Sequence, residues 1–286
     1  RRRGVADRLA VGPEHPQVGV VLHNLALVLY HRREFVAAAA LFRRALAVRE
    51  RSLGSDHPAT VETLNGLGAA LSDAGDVPAG LEIYRRVLAI EERRRGLDHL
   101  DLFAPLNNLG NSLINARELP AAESYLERAR VLLERHGKSD GPDYALLLYN
   151  LSALAADQGA LPRAIVLIER SLALREQIFG PKHLDVGVAL AYLADLELDA
   201  GRLAQAEAHA LQAVAILEPL PPGVLELGRA RVVLATLRAR DPNTRDQALT
   251  LARQAVLDLR TQPQGSSPLA AARELLTDLS RRPAPR

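Results

Sequence analysis

The sequence predicts an all-α array of helical hairpins. Three observations predict it. A short motif returns at a fixed step of 42 residues, each step holds two stretches with apolar residues at helical spacing, and small residues recur at one position of each stretch. The motif is Gly12-Pro13-Glu14-His15-Pro16. It returns as Gly54-Ser55-Asp56-His57-Pro58, Gly96-Leu97-Asp98-His99-Leu100 and Gly180-Pro181-Lys182-His183-Leu184. The missing copy falls at Lys138-Ser139-Asp140-Gly141-Pro142, in register but eroded. Glu50, Glu92, Glu134, Glu176 and Glu218 keep the same step, as do Leu25, Leu67, Leu109, Leu151 and Leu193.

Each unit reads as two helices. The first carries apolar residues such as Leu106, Leu109 and Leu113, with Gly110 among them. It ends near Gly75, Gly159 or Gly201, residues suited to a left-handed C-cap. The second opens with Pro78, Pro120 or Pro162 at its first position, where the missing N–H costs nothing. Its apolar face runs through Leu119, Ala122, Leu126 and Ala129. Ala26, Gly68, Gly110, Ser152 and Ala194 on the first helix face Ala38, Gly80, Ala122, Ala164 and Ala206 on the second. A larger side chain there would push the backbones apart.

The expected boundaries follow the step. Residues 1–10 read as the tail of a preceding second helix. Units span about 11–52, 53–94, 95–136, 137–178, 179–220 and 221–262. The sixth is degenerate, because Leu234-Ala235 lies 41 residues after Leu193-Ala194 and Arg231 takes an apolar position. Residues 263–286 read as a linker, a capping helix over Leu269 to Ser280 and a disordered tail. The chain starts at Arg1 and lacks Met, so it reads as a segment of a longer protein with a natural C-terminus.

Composition narrows the chemistry. The 286 residues are 48% hydrophobic and only 3% aromatic, which disfavours an aromatic-rich barrel or sandwich. There is no Cys, so disulfides, thiolate zinc sites and thiol catalysis are excluded. No apolar run is long enough to span a membrane. A net charge of +2 supplies no overall field to hold nucleic acid. Heavy Arg and Ala use with Lys only at Lys138 and Lys182 points to a GC-rich bacterial genome, and a cytoplasmic location is expected.

The pattern resembles the tetratricopeptide repeat. Leu106, Leu109, Gly110, Leu113, Leu119, Ala122, Leu126 and Ala129 follow that family's hairpin signature in order. The 42-residue unit, the Gly-x-x-His-Pro linker and Asn-Leu-Ala/Gly in the first helix are similar to the kinesin light chain subtype, over about residues 11–260. The resemblance implies a right-handed superhelix with first helices on its concave side. It also implies a protein-interaction scaffold that takes an extended peptide in the concave groove.

Mapping the family's groove positions onto this chain gives a residue set. It comprises His23, Asn24, Leu27, Tyr30 and His31, then Asn65, then Asn107, Asn108, Asn111 and Asn115. Further along come Tyr149, Asn150 and Asp157, then Tyr192 and Asp195. Asn24, Asn108 and Asn150 share one repeat position, which Gly66 interrupts and Tyr192 ends. An amide offers both a donor and an acceptor, so such a ladder can hold a peptide by its main chain. The same side chains could instead tie neighbouring first helices together. No Lys or Arg occupies the mapped positions of the first five units, which argues against a carboxylate clamp. Asp73, Asp157, Asp195 and Asp199 make the far part mildly acidic, favouring a neutral or basic ligand.

Other chemistry finds no support. His15, His57, His99 and His183 lie one per linker and cannot converge, so they read as structural residues. His23 and His31 are eight apart on one helix, roughly 12 Å, too far to share a metal. No metal site, cofactor or catalytic motif is expected. The ladder Arg44, Arg86, Arg128 and Arg170 alternates with acids and lacks interleaved aromatics. It reads as a solvated convex face with surface ion pairs, so no nucleic-acid or membrane partner is expected. The resemblance to Arg- and Ala-rich bacterial arrays also implies an alternative. The segment would be the C-terminal regulatory or substrate-recruiting region of a Ser/Thr protein kinase, or of a nucleotide-binding signalling ATPase. The oligomeric state stays open.

Overall fold

The computed structural model describes residues 15–220, 224–260 and 267–281. Among them are thirteen α-helices and no strand. The expected tail over residues 1–10, the linker up to Ser266 and the last five residues lie outside the described residues. The chain divides into two compact units, one ending at His136 and one beginning at Gly137.

The first unit holds three hairpins. They are α1 (Pro16–His31) with α2 (Phe35–Leu53), α3 (Pro58–Asp73) with α4 (Val77–Arg95), and α5 (Phe103–Asn115) with α6 (Leu119–Arg135). The second holds α7 (Pro142–Asp157) with α8 (Leu161–Phe179), α9 (Leu184–Asp199) with α10 (Leu203–Leu217), and α11 (Leu225–Arg238) with α12 (Arg245–Asp258). The final helix α13 (Ser267–Arg281) packs on α11 and α12. Among the described residues no helix is long and apolar enough to cross a membrane.

The linker histidines have a definite task. His15, His57, His99 and His183 sit in extended backbone at helix starts. Each ring Nδ1 accepts the N–H two residues on, at 3.2 Å in all four. An N-cap side chain satisfies an amide that has no partner within the helix. Pro16 and Pro58 follow the cap, where a lost N–H is harmless. Where the motif reads Leu100, the chain makes a 3₁₀ turn over Leu100–Leu102 before α5 begins. Where it has eroded to Gly141, α7 starts without a side-chain cap.

The prolines of the second helices occupy the second helical position, one residue later than expected, behind Val77, Leu119 and Leu161. That N–H also lacks an intrahelical acceptor, so the tolerance is the same. Gly75, Gly159 and Gly201 turn with φ of 93°, 77° and 73°. At the same repeat position Arg33 and Arg117 adopt φ of 63° and 62°. An L side chain there costs roughly 1–2 kcal/mol.

The small-residue pairs are buried as the spacing requires: Ala26, Ala38, Ala122, Ala164, Ala194 and Ala206 are all 0% exposed. Ser152 Oγ donates to Ala164 O at 2.7 Å, across one such pair. At Gly80 an added Cβ would lie 2.2 Å from Ser72 Oγ and 3.0 Å from Gly68 O, so an alanine here would force the Ser72 hydroxyl to turn away. Leu67, Leu109, Leu151 and Leu193 are buried, whereas Leu25 at the same register stays exposed. Val20, Val21 and Val28 are exposed beside it.

Two ladders noted in the sequence interlock. Arg86 pairs with Glu50, and Arg128 Nη1 with Glu92 Oε1 at 2.6 Å, each joining consecutive second helices. Arg93–Asp56 at 3.3 Å and Arg135–Asp98 at 3.8 Å repeat a second clamp from linker to second helix. The pairs bridge hairpins as well as turns of one helix.

Candidate functional site

The first helices carry the residues expected to meet a ligand. In the first unit Asn24, His31, Asn111 and Asn115 are exposed, while Leu27, Tyr30, Asn65 and Asn108 are half-buried. His23 and Asn107 are buried, each 3% exposed. In the second unit Asp157 is exposed and Tyr149 and Asp195 are half-buried. Asn150 and Tyr192 are buried at 5% and 8%.

These burials correct the amide ladder. Asn24, Asn108 and Asn150 share a repeat position, yet one is exposed, one half-buried and one buried. They do not present equivalent amides to solvent. His23 is a core residue. Its ring meets Phe42 edge-on at 5.5 Å, and Nδ1 lies 3.4 Å from Thr63 Oγ1. Burial, then the nearby Arg49 guanidinium, hold its pKa below the usual value against a weaker pull from Glu62.

Two of the four acids expected to make the far part acidic, Asp73 and Asp195, are engaged by partners of the chain itself. Tyr30 OH donates to Asp73 Oδ2 at 2.6 Å, tying α1 to α3. Burial and the Asp73 carboxylate raise the Tyr30 pKa, so the phenol stays a donor. In the second unit Arg229 reaches Asp195 at 3.2 Å. Burial raises the Asp195 pKa, with the Arg229 charge opposing it.

Arg229 and Arg175 are the residues sequence reasoning missed. Arg175 lies 5.2 Å from the Tyr149 ring centroid, Tyr149 and Tyr192 are 5.1 Å apart, and Arg229 lies 5.0 Å from Tyr192. The four form one stack across α8, α7, α9 and α11. Guanidinium over an aromatic face is attractive, and more so when desolvated. Arg229 was hidden by the slipped register of the sixth hairpin. Arg175 had a legible signal, since Arg49 stands three repeats earlier at the same position. Arg49 Nη1 donates to Ala59 O at 2.5 Å and Arg175 Nη1 to Asp185 O at 2.8 Å, in both cases ten residues ahead.

An acid–base pair with a buried acid stands in the fifth hairpin. Glu197 is 1% exposed, its Oε2 lies 2.7 Å from His209 Nδ1, and its Oε1 has no protein partner. Earlier hairpins have Leu29, Leu71, Leu113 and Ala155 at the first position and Leu41, Ile83, Tyr125 and Leu167 at the second. Among the described residues no cluster of three or more His, Asp or Glu could hold a metal ion.

The comparisons agree with this architecture. A family profile for the tetratricopeptide repeat matches residues 17–93 and 143–218, and a second profile of the same description matches residues 106–143. No curated protein sequence matches the chain. Among solved structures, BtubC (BKLC) from P. vanneervenii is 18% identical, with a TM-score of 0.59 over 87% of this chain and 93% of that one. Repeats of a putative kinesin light chain from Podosopora anserina are 21% identical, with a TM-score of 0.56 over 71% and 95%. A Rap protein complexed with competence and sporulation factor is 12% identical, with a TM-score of 0.64 over 91% and 74%. At these identities the likeness shows the fold alone. The profile matches, the 42-residue hairpins and the buried small-residue pairs together show that the chain belongs to the tetratricopeptide repeat family.

Proposed function

We propose that this chain is a non-catalytic protein-interaction scaffold that holds an extended peptide segment against its first helices. The observation that carries the reading is the polar strip on α5 of the first unit. Asn111 and Asn115 are exposed and Asn108 is half-buried, on a helix whose other face is packed against α6. Amides at this spacing pair with a peptide main chain without reading its side chains. The backbone beneath them is fixed by Leu106, Leu109 and Leu113, each 0% exposed, so little ordering is needed on binding. Asn24, Leu27 and His31 on α1 extend the same role, and the exposed Asp157 supplies it in the second unit. The Rap structure adds support, since a related fold is there complexed with a second molecule. The kinase-tail alternative rests on the resemblance of composition alone.

The test is affinity capture from a bacterial lysate, followed by titration of the captured partner's peptides. The wild-type chain is compared with an Asn108→Ala, Asn111→Ala variant of unchanged helix content. A loss of tenfold or more in peptide affinity is expected. Unchanged affinity would remove the first-helix face from the binding site.

A further inference from the structure

One repeat position pair sets how each hairpin is sealed to the next. The pairs are His23 with Arg49, Asn65 with Glu91, Asn107 with Leu133, Tyr149 with Arg175 and Ala191 with Leu217. Where Arg is present, the seal is a ring with a guanidinium beside it. Arg49 also donates to Thr63 Oγ1 at 2.7 Å, next to the His23 ring, and it reaches the next first helix through Ala59 O. Arg175 lies over Tyr149 and reaches the next first helix through Asp185 O. Both arginines are buried, at 4% and 6% exposed.

The second hairpin lacks both parts of this seal. Asn65 replaces the ring and Glu91 replaces the arginine. A cleft of about 290 Å³ opens there, between α3, α4 and the start of α5. Asp101, ten residues beyond Glu91, lines it. Val61, Val87 and Pro105 give apolar walls. Asn65 Oδ1 is a buried acceptor with no partner, an unfavourable state that an incoming donor relieves. Three carboxylates line the cleft, those of Glu62, Glu91 and Asp101, against the guanidinium groups of Arg94 and Arg95. Arg95 is shared between Glu91 and Asp101, at 2.7 Å from each, and Arg94 lies 2.7 Å from Glu91. Glu62 stands 64% exposed at the rim, 3.4 Å from Arg49 and 3.8 Å from His23.

We infer that this cleft is a side-chain pocket for an arginine of the bound partner. The incoming guanidinium supplies what the chain itself supplies at the first and fourth hairpins. Its flat fork donates to Asn65 Oδ1 and to the carboxylates of Glu62 and Asp101, and its stem lies against Val61 and Pro105. A single ammonium has no planar fork to reach acceptors on two helices at once. The inference rests on the reading that the first helices hold an extended partner, and it names one side chain of that partner.

The probe is the peptide acetyl-Ala-Ala-Arg-Ala-Ala-amide, titrated into the intact chain by NMR and calorimetry. The matched Lys, citrulline and Ala peptides serve as comparators. The arginine peptide should bind at least tenfold more tightly than the citrulline and Ala peptides, and should shift the Asn65 side-chain amide. The variant Asn65→His, Glu91→Arg rebuilds the seal of the first hairpin and should abolish the preference. Glu91→Leu uses a residue that the array already carries at Leu133 and Leu217. It should fold normally and weaken arginine binding severalfold. The inference is overturned if no peptide binds, if citrulline binds as well as arginine, or if the rebuilt variant keeps its affinity. Those outcomes leave the scaffold reading standing if a longer partner is still lost on Asn108→Ala, Asn111→Ala.

Discussion

The two units use one backbone plan and different means of joining its hairpins. In the first, second helices are clamped by exposed ion pairs, Glu50–Arg86 and Glu92–Arg128, with Asp56–Arg93 and Asp98–Arg135 beside them. In the second, the corresponding partners are gone, because Gln212 follows Glu176 and Gln177 follows Asp140 at the same offsets. Less exposed contacts do more of the joining there: the Arg175–Tyr149–Tyr192–Arg229 stack, which extends the kind of seal that Arg49 makes in the first unit, and the buried Arg231, 2.6 Å from Glu218 of the preceding hairpin. The repeat backbone needs close helix approach, which the small-residue pairs supply in both units. What joins hairpin to hairpin is free to change, so it carries the individuality of the chain.

The contact of the buried Glu197 carboxylate should give the largest effect. Replacing His209→Leu leaves the Glu197 carboxylate in the core without its partner. A loss of about 3 kcal/mol or more is expected in chemical denaturation of the second unit. The double variant Glu197→Leu, His209→Leu restores the apolar pair of earlier hairpins and should recover most or all of it. If the single variant is as stable as wild type, the pair is not holding the hairpin. The first unit has a smaller counterpart in His23. Its folded pKa lies below its unfolded value near 6.5, so the unfolded chain takes up the proton first. Stability should therefore fall as pH drops through 6.5 toward the folded value, and hold above it. His23→Asn, the residue found at Asn65 and Asn107, should flatten that part of the stability-against-pH curve. A third change tests the turns. Arg117→Gly relieves a left-handed arginine and should stabilise the first unit by roughly 1 kcal/mol, whereas Gly159→Ala should destabilise the second by a similar amount.

The repeat was legible because its causes are local and periodic. The 42-residue step, the Gly and Pro signals and the small-residue pairs each report a backbone requirement that recurs in every hairpin. The N-cap role of His15, His57, His99 and His183 was legible as structural but not as a hydrogen bond, because histidine is not among the common caps. The candidate site was less legible. Repeat position says which side a residue faces, but exposure depends on neighbours from other hairpins. Thus Asn24 and Asn150 share a position and differ in burial. Arg229 was hidden by a one-residue slip, and no spacing rule could place it against Tyr192.

Salt separates the two joining schemes with the smallest expected effect. Exposed ion pairs contribute about 0–1 kcal/mol each and are screened over roughly 8–10 Å at moderate ionic strength. Arg86→Gln and Arg128→Gln should each cost the first unit no more than that, at low salt. The loss should fade toward zero in about 1 M sodium chloride, where the screening length is about 3 Å. The cation–π stack of the second unit is largely desolvated, so Arg229→Gln should cost more and its cost should change little with salt. Hydrogen exchange, read separately for the helices of each unit, measures both. Equal salt dependence in the two units would mean that the clamps and the stack work by the same physics, and the contrast between the units would collapse.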